Sequence, residues 1–346
     1  MRDRVVSIDS VKGMALIAVV AIHTEPFHRS RPASASWQLA GHVIQQCASF
    51  AVPFFFLAAG FLLSERMGSH APGAVWQRYV RRLALLLGAW TLVNGCFQGN
   101  WLFHVWQAGS VKPLLWNALA IPSFAVHRPD LFLFRTSATP LWFLVSLIWA
   151  VSVLALLVRL GLARAWMAAI AALSYLAALA MGAYAVPIGS ATTAQLLEHR
   201  GPFIATAFVL AGHALARSPP RRMGAVAALG LPLALMFVET TLLSALHGEA
   251  FRERPYLLAT LPLSVAVLAV ARQRPNFGAG TPLPALGRMS MGIYLMHIPV
   301  IGALTPARLA VDSAAWELGF VAWVMVISGV LVRGALKAPV LRRFVV

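Results

Sequence analysis

The sequence predicts an all-α polytopic membrane protein, in which about ten transmembrane helices form one bundle and both termini are cytoplasmic. Of its 346 residues, 60% are apolar and 11% charged, whereas soluble domains are about 45–50% apolar and about 25% charged. Five long stretches contain no Asp, Glu, Lys or Arg: residues 32–64, 83–111, 136–158, 165–197 and 289–307. About 18 apolar residues suffice for a helix to cross the hydrocarbon core. A soluble enzyme, a disordered chain and a secreted disulfide scaffold are therefore excluded.

The positions of the charges and cysteines argue against nucleic-acid binding, a structural disulfide and a metal centre. The net charge is +17, but the basic residues separate the apolar segments instead of forming one stripe, so no nucleic-acid partner is predicted. Cys47 and Cys96 lie inside apolar segments, which predicts two small buried hydrophobic residues and no structural disulfide. No CxxC pair or Cys/His spacing typical of a metal centre occurs, so no metal is predicted.

Clusters of Pro, Gly and Arg divide the chain into apolar segments that are predicted to be the spans of a single domain, residues 1–346. The ten predicted spans are residues 10–27, 39–64, 80–98, 140–160, 164–186, 201–217, 222–246, 256–272, 285–304 and 314–333. Residues 100–126 are apolar but interrupted by Gly109, Lys112 and Pro113, which predicts an interfacial or re-entrant segment. An eleventh crossing there would invert the orientation of everything that follows.

The charges that flank these segments predict the orientation. With ten crossings and the N-terminus inside, nineteen Lys and Arg lie on the cytoplasmic side and nine lie outside, as the positive-inside rule requires. Arg308 and Glu317 count as charges of the outer loops in this arrangement. The basic start before an apolar run resembles a signal peptide, but His23 and Glu25 within that run favour a helix that is retained.

The first predicted span contains the most informative polar residues. Lys12 and His23 are eleven residues apart, so they lie nearly on one helix face, separated by roughly 16 Å along the axis. Asp9 is one turn before Lys12 and is expected to pair with it. Glu25 follows two residues after His23, where Pro26 loosens the helix. The pattern suits proton transfer by an imidazole, although a helix–helix contact at His23 and an interfacial anchor at Lys12 remain alternatives.

Other segments carry polar groups at helical spacing. Arg78 and Arg81 begin the third span and are either a phosphate grip or a topology anchor. In the ninth span, Ser290, Tyr294 and His297 lie within about 60° of one another. Small residues beside aromatics in residues 52–63 predict close helix packing. Further buried polar candidates, each expected to form an interhelical hydrogen bond, are Asn94, Gln98, Trp142 and Glu239.

Taken in order, these segments resemble the membrane-bound acyltransferase 3 family over essentially the whole chain. The matching motifs are Asp9…Lys12-x10-His23, Phe54-Phe55-Phe56-Leu57-Ala58-Ala59-Gly60, Arg78-x-x-Arg81, Leu141-Trp142-Phe143-Leu144 and Ser290-x-Gly292-x-Tyr294-Leu295-x-His297. Lys12 stands where the family usually has Arg, and Ala59 stands where Ser is common. Lys is a point charge without the bidentate fork of Arg.

The resemblance implies transfer of an acyl group, most often acetyl, from cytoplasmic acyl-CoA to a hydroxyl of a cell-envelope glycan or lipid-linked glycan. It implies a bacterial inner-membrane protein with no permanently bound cofactor. His23 would be the general base or a transient acyl-imidazole, Glu25 would orient it, and Tyr294 or His297 would donate to the oxyanion. The residues expected to hold the CoA phosphates are Arg78, Arg81, Arg82 and Lys12, and those expected to support the site are Asp9, Trp142 and Ser290.

Two other classes of protein stay open from the sequence. A transporter or flippase would also place His, Glu and Arg near the membrane midplane, and it often has two related halves. No internal repeat is found in this chain. A membrane sensor or assembly scaffold without catalysis is the other alternative.

Overall fold

The computed structural model describes residues 5–28, 34–134, 140–185, 187–189, 201–219, 222, 224–311 and 313–345. Within these ranges the regular structure is helical and contains no strand, which confirms the predicted α class. The helices are α1 Val6–Thr24, α2 Ala35–Ala48, α3 Ala51–Met67, α4 Pro72–Cys96, α5 Trp101–Ala108, α6 Lys112–His127, α7 Pro129–Phe134, α8 Trp142–Arg159, α9 Arg164–Met181, α10 Pro202–Ala216, α11 Ala225–Leu246, α12 Thr260–Gln273, α13 Leu283–Arg288, α14 Ser290–Leu309, α15 Ala314–Lys337 and α16 Pro339–Arg342.

Seven helical segments in the described ranges are long and apolar enough to cross a membrane. They are Val6–Thr24, Ala35–Met67, Trp142–Arg159, Arg164–Met181, Ala225–Leu246, Ser290–Leu309 and Ala314–Lys337. The predicted spans at 201–217 and 256–272 correspond to α10 and α12, which are apolar but shorter, with 15 and 14 residues. The predicted span at 80–98 covers the second part of α4; Arg78 precedes it, and Arg81 and Arg82 lie in its first turn. The predicted spans thus all fall on helical segments, seven segments meet the requirements of a crossing, and the ten-span count stays a prediction.

The predicted span 39–64 is two helices, and this is a correction to the sequence analysis. α2 ends at Ala48 and α3 begins at Ala51. Pro53 has no N–H to donate to the carbonyl of Ser49, so the helical hydrogen bonding is interrupted at this point. The Ser49 hydroxyl instead donates to the carbonyl of Gln46, at 2.7 Å.

Contacts between helix ends define two faces of the bundle. On the first, the backbone N–H of Ser7 donates to Pro275 O at 3.0 Å, so the start of α1 lies beside the end of α12. Arg272, near that end of α12, donates to Leu215 O of α10 at 2.8 Å and lies 5.1 Å from the ring of Phe61 in α3. Because α4 follows α3 after a short turn, its arginine-bearing start belongs to this face too. We call it the Lys12 face, and the opposite one the His23 face.

Residues 100–126 form α5 and α6, which lie at the His23 face on the outside of the bundle. The Trp101 indole donates to Pro299 O of α14 at 2.8 Å, and Asn117 donates to Cys96 O at 3.2 Å. Most side chains of both helices are exposed, including Trp106 and Trp116. Helices of 8 and 16 residues are too short for a standard crossing, and the interfacial or re-entrant placement of this segment stays a prediction.

Glycines allow the closest contact between helices, as predicted for the aromatic segment. A Cβ at Gly60 of α3 would overlap the Val209 carbonyl of α10, and one at Gly212 of α10 would overlap the Leu57 carbonyl of α3. This reciprocal contact confirms the close packing expected for residues 52–63.

The prediction that both cysteines are buried is wrong. Cys47 is exposed and Cys96 is partly exposed. Both sit in apolar helices, but the outer surface of a membrane bundle faces lipid and is itself apolar. A hydrophobic environment in the sequence therefore does not distinguish a side chain inside the bundle from one on its surface.

Candidate active site

A pair of histidines joins α1 to α14 towards the His23 face. Nε2 of His297 lies 3.2 Å from Nδ1 of His23, and the ring centroids are 4.9 Å apart. His297 is fully buried, whereas His23 is half-buried at the last turn of its helix. The two predicted imidazoles, 274 residues apart in the chain, thus meet in one site.

The hydrogen bonds of this pair define which ring nitrogens carry hydrogen. Nδ1 of His297 contacts the Tyr294 carbonyl, and Nδ1 of His23 lies 2.9 Å from the Val19 carbonyl. A carbonyl oxygen only accepts, so both Nδ1 atoms are N–H donors in neutral rings. His297 Nε2 then carries a lone pair, and the single hydrogen of His23 Nδ1 is shared between this nitrogen and the Val19 carbonyl. By the same reasoning, the basic nitrogen of His23 is Nε2.

Tyr294 connects the histidine pair to the aromatic residues of two other motifs. Its hydroxyl donates to Pro140 O at 2.7 Å, and its ring lies 5.3 Å from that of Phe143. The Phe143 ring lies 4.6 Å from Phe56, and Trp142 lies 6.2 Å from Phe56. Since the Tyr294 hydroxyl already donates to a carbonyl, this geometry favours a positioning role over donation to an oxyanion. The same holds for His297, whose N–H is directed at Tyr294 O.

Glu25 and Ser290 lie at the edges of this arrangement. Glu25 follows the last residue of α1 in a left-handed conformation, with φ 48°, and its carbonyl accepts from Arg308 at 3.1 Å. Neither of the Nδ1 contacts of His23 described above involves the Glu25 carboxylate. Ser290 is the first residue of α14 and lies about 10 Å from His297 along the helix axis.

The predicted cations lie at the opposite face of the bundle. Lys12 Nζ is 3.5 Å from the carboxylate of Asp9, which confirms the expected pair. Arg78, Arg81 and Arg82 are exposed on the first half of α4. Lys12 and the three arginines are on different helices, α1 and α4, which both pack against α3 and α14. A phosphate ligand at this face would be more than ten ångströms from His23, since Lys12 and His23 are separated by roughly 16 Å along α1.

The family comparison agrees with this arrangement of motifs. The sequence model of the Acyl_transf_3 family, described as an acyltransferase domain, matches residues 5–333. The chain belongs to the acyltransferase 3 family. It is accordingly an acyltransferase and an integral membrane protein. Searches of the curated proteins and of the solved structures return no match.

In this acyltransferase, sequence reasoning missed a buried ion pair beside the histidines. Arg308 and Glu317 had been counted as loop charges, but both are 4% exposed and form a salt bridge between α14 and α15. The guanidinium also donates to the carbonyls of Thr24 and Glu25, and Glu317 accepts from the backbone N–H of Phe27 at 3.1 Å. The pair therefore holds the turn that ends α1, one residue after His23. The available signal was two opposite charges, nine residues apart, at the adjoining ends of two apolar helices.

The remaining buried polar candidates are mainly structural. Glu239 accepts from the backbone N–H groups of Leu258 and Ala259 at 2.6 and 3.0 Å, an interhelical role as expected. Asn94 is 1% exposed and donates to Leu295 O at 3.4 Å, which ties α4 to the turn of α14 between Tyr294 and His297. Gln98 is exposed and lies outside any helix.

Proposed function

We propose that this acyltransferase transfers an acetyl or similar acyl group from cytoplasmic acyl-CoA to a hydroxyl of a cell-envelope glycan, free or lipid-linked. The proposal places it in a bacterial inner membrane with both termini cytoplasmic. One observation carries it: the His23–His297 contact orients His23 so that Nε2 is its basic nitrogen. The family membership supplies the reaction class.

His23 would act as a general base at the thioester. Nε2 takes the proton of the acceptor hydroxyl as that oxygen forms a bond to the acyl carbonyl carbon. The carbon–sulfur bond then breaks, and the departing CoA thiolate takes the proton from the imidazolium. In the second route, Nε2 itself attacks the carbonyl and CoA leaves as the thiolate. The glycan hydroxyl then attacks the acyl-imidazole, the carbon–nitrogen bond breaks, and the hydroxyl proton passes to the thiolate. Both routes need the same lone pair and the same ring orientation.

The cations of the Lys12 face would bind the donor. Arg78, Arg81 and Arg82 project from consecutive turns of α4 at the face that is proposed to be cytoplasmic. Guanidinium groups bind phosphate oxygens in a bidentate manner, which suits the phosphates of CoA. The elongated pantetheine arm would then carry the thioester towards the histidine pair. Lys12 forms a salt bridge with Asp9, so it would contribute to the electrostatic potential at this face and would not bind a phosphate directly.

The proposal is tested with purified protein in liposomes that contain a lipid-linked glycan. Radiolabelled acetyl-CoA is added, and release of CoA thiol, label on the protein and label on the glycan are measured. We expect thiol release with label on the glycan, and both should be lost in His23→Gln. Label retained on the protein without glycan would indicate the acyl-imidazole route. Glycan crossing the bilayer with neither label nor thiol release would overturn the proposal in favour of a flippase.

A further inference from the structure

A second group of ionisable side chains meets at the His23 face. It consists of His28, His42 and Glu253, which come from three separate segments. His28 Nε2 lies 3.1 Å from His42 Nδ1, and the Glu253 carboxylate contacts the same His42 nitrogen. One atom from each residue can be chosen so that all three lie within 4.8 Å of one another.

The carboxylate is held in place by the backbone on both sides of it. Gln46, one turn after His42 on α2, accepts from the backbone N–H of Arg254 at 2.8 Å and donates to its carbonyl at 3.2 Å. On the other side, the Ser244 hydroxyl accepts from the backbone N–H of Arg252 at 3.1 Å. Gln46 and Ser244 are themselves buried. Glu253 is therefore fixed opposite His42 by contacts that do not involve its own side chain.

His28 reaches the cluster through a strained turn. In the described residues, the only non-glycine residues with positive φ are Glu25 and Phe27, with φ 48° and 68°. Such conformations cost free energy and persist only where the surroundings impose them. Phe27 is 3% exposed and stacks on Trp37 at 4.8 Å, and its N–H is held by Glu317. Burial lowers the pKa of His28 below its ordinary value.

We propose that His28, His42 and Glu253 bind one divalent transition-metal ion of the Zn²⁺ class. Two imidazoles and one carboxylate form a ligand set that zinc prefers over calcium or magnesium, which take mainly oxygen ligands. Around a tetrahedral zinc, ligand atoms are roughly 3.3 Å apart, close to the distance between His28 Nε2 and His42 Nδ1. His42 and Glu253 already contact each other through the same His42 nitrogen, and a bound metal ion would take the place of that contact.

The charge and exposure of the surroundings fit a metal that enters from solvent. The side chains of His42 and Glu253 are 24% and 30% exposed, which leaves room for water as a fourth ligand. Arg254 and Arg252 flank the site, and Glu249 lies 3.5 and 3.9 Å from them, offsetting their charge. The metal would link the turn that follows α1 to α2 and to the segment before α12. This inference is independent of the reaction that the histidine pair performs.

The test measures metal binding by the full-length protein in detergent after treatment with a chelator. Zn²⁺ is titrated against a competing chromophoric indicator, and bound zinc is counted by elemental analysis. We expect one equivalent in the wild type and at least a tenfold weaker affinity in His42→Ala and Glu253→Gln. The matched control is His127→Ala, which removes an exposed histidine of α6 and should bind like the wild type. A wild type that retains no zinc, or variants that bind as it does, would overturn the proposal.

A second measurement does not depend on the variants folding. Co²⁺ replaces zinc and gives intense visible absorption when it has four ligands, and weak absorption when it has six. We expect the intense spectrum in the wild-type protein, abolished by added Zn²⁺. A weak spectrum, or binding of Ca²⁺ and Mg²⁺ in preference to Zn²⁺, would show that the three residues do not form the proposed site.

Discussion

Nδ1 of His23 lies 3.2 Å from Nε2 of His297, and this contact decides how the two rings work together. The Tyr294 carbonyl holds the hydrogen of His297 on Nδ1, so Nε2 of that ring can only accept. His23 in turn donates from Nδ1. In many active sites a carboxylate orients the catalytic base through a hydrogen bond. Here the neutral imidazole of His297 takes the place of that carboxylate beside His23. It directs the basic nitrogen of His23 without burying a net charge in the membrane bundle.

The first prediction concerns the proton acceptor itself. His23→Gln keeps a side chain that can hydrogen-bond to Val19 O, but an amide cannot take and return a proton. General acid–base catalysis contributes about 10²–10⁴ in rate, so we expect kcat for acyl transfer to fall by that factor. Steady-state release of CoA thiol measures it, together with thermal unfolding to show that the variant is folded.

His247→Gln is the matched control for this variant. His247 also ends a helix and contacts the carbonyl four residues before it, Leu243 O, at 2.6 Å. It lies on α11, away from the histidine pair. Its replacement should leave kcat unchanged. If His23→Gln retained more than about a tenth of the wild-type rate, which is far above the rate expected without a general base, His23 would not be the base.

A second prediction separates positioning from catalysis at His297. His297→Phe removes the acceptor for His23 Nδ1–H, and loss of one neutral hydrogen bond costs about 0.5–1.5 kcal/mol. We expect kcat to fall roughly three- to tenfold, with little change in KM for acyl-CoA. His297→Gln offers a carbonyl oxygen to the same hydrogen and should recover part of the loss.

The control for His297 is another buried histidine. His213→Gln changes a residue of α10 whose partner is the Ser64 hydroxyl, at 2.7 Å. Activity should be close to that of the wild type. A loss in His297→Phe that appeared in KM alone, or that His297→Gln did not reduce, would contradict the positioning role.

The sequence alone predicted most of the fold because lipid imposes simple rules. Apolar length located a helix at every predicted span, and Lys12 and Asp9 were paired correctly from helical spacing. The break between α2 and α3 was missed, although Pro53 indicates it. Composition could not predict that Cys47 is exposed, because a helix surface that faces lipid and one that faces other helices are both apolar.

The candidate site was only partly predictable. Periodicity placed Tyr294 and His297 on one face of α14, but nothing in the spacing could show that this face meets His23. The same limitation applies to His28, His42 and Glu253, because no spacing rule connects His42 with Glu253, which lies 211 residues further along the chain. Arg308 and Glu317 were assigned to loops because a charge near the end of an apolar run is ordinarily solvated. Tertiary contacts, absent from a single sequence, determine each of these cases.

A third prediction concerns binding of the donor. Arg78→Ala and Arg81→Ala should each raise the apparent KM for acyl-CoA roughly tenfold to a hundredfold, because a charge-assisted hydrogen bond to phosphate is worth about 1.5–3 kcal/mol. Donor saturation curves at fixed acceptor measure this. Arg164→Ala is the control, since Arg164 is exposed at the start of α9 on the same face. If the apparent KM for acyl-CoA were unchanged in both test variants, the two arginines would only anchor the orientation of the helix in the membrane.

A fourth prediction tests the orientation of the bundle. Ser110→Cys, in a chain whose native cysteines are replaced, places one thiol between α5 and α6 at the His23 face. If that face is periplasmic, a membrane-impermeant maleimide should label it while the inner membrane is intact. A cysteine at Arg82 of the Lys12 face should react only after permeabilisation. Labelling in the reverse order would contradict both the ten-span count and the proposed cytoplasmic termini.

The last prediction concerns the ion pair that holds the end of α1. Removing one partner of a buried pair leaves an uncompensated charge and costs about 3–5 kcal/mol, whereas two well-packed apolar replacements are often tolerated. We therefore expect Arg308→Met and Glu317→Met each to lower Tm strongly, and the double variant to lose less than the sum of the two. Recovery should be incomplete, because the double variant still lacks the hydrogen bonds from Arg308 to Thr24 O and Glu25 O and from the Phe27 N–H to Glu317. The folded double variant should also show a reduced kcat, since these contacts fix the turn next to His23. Additive losses in Tm would mean that the two side chains do not interact energetically, and unchanged kcat would mean that the turn does not position the histidine.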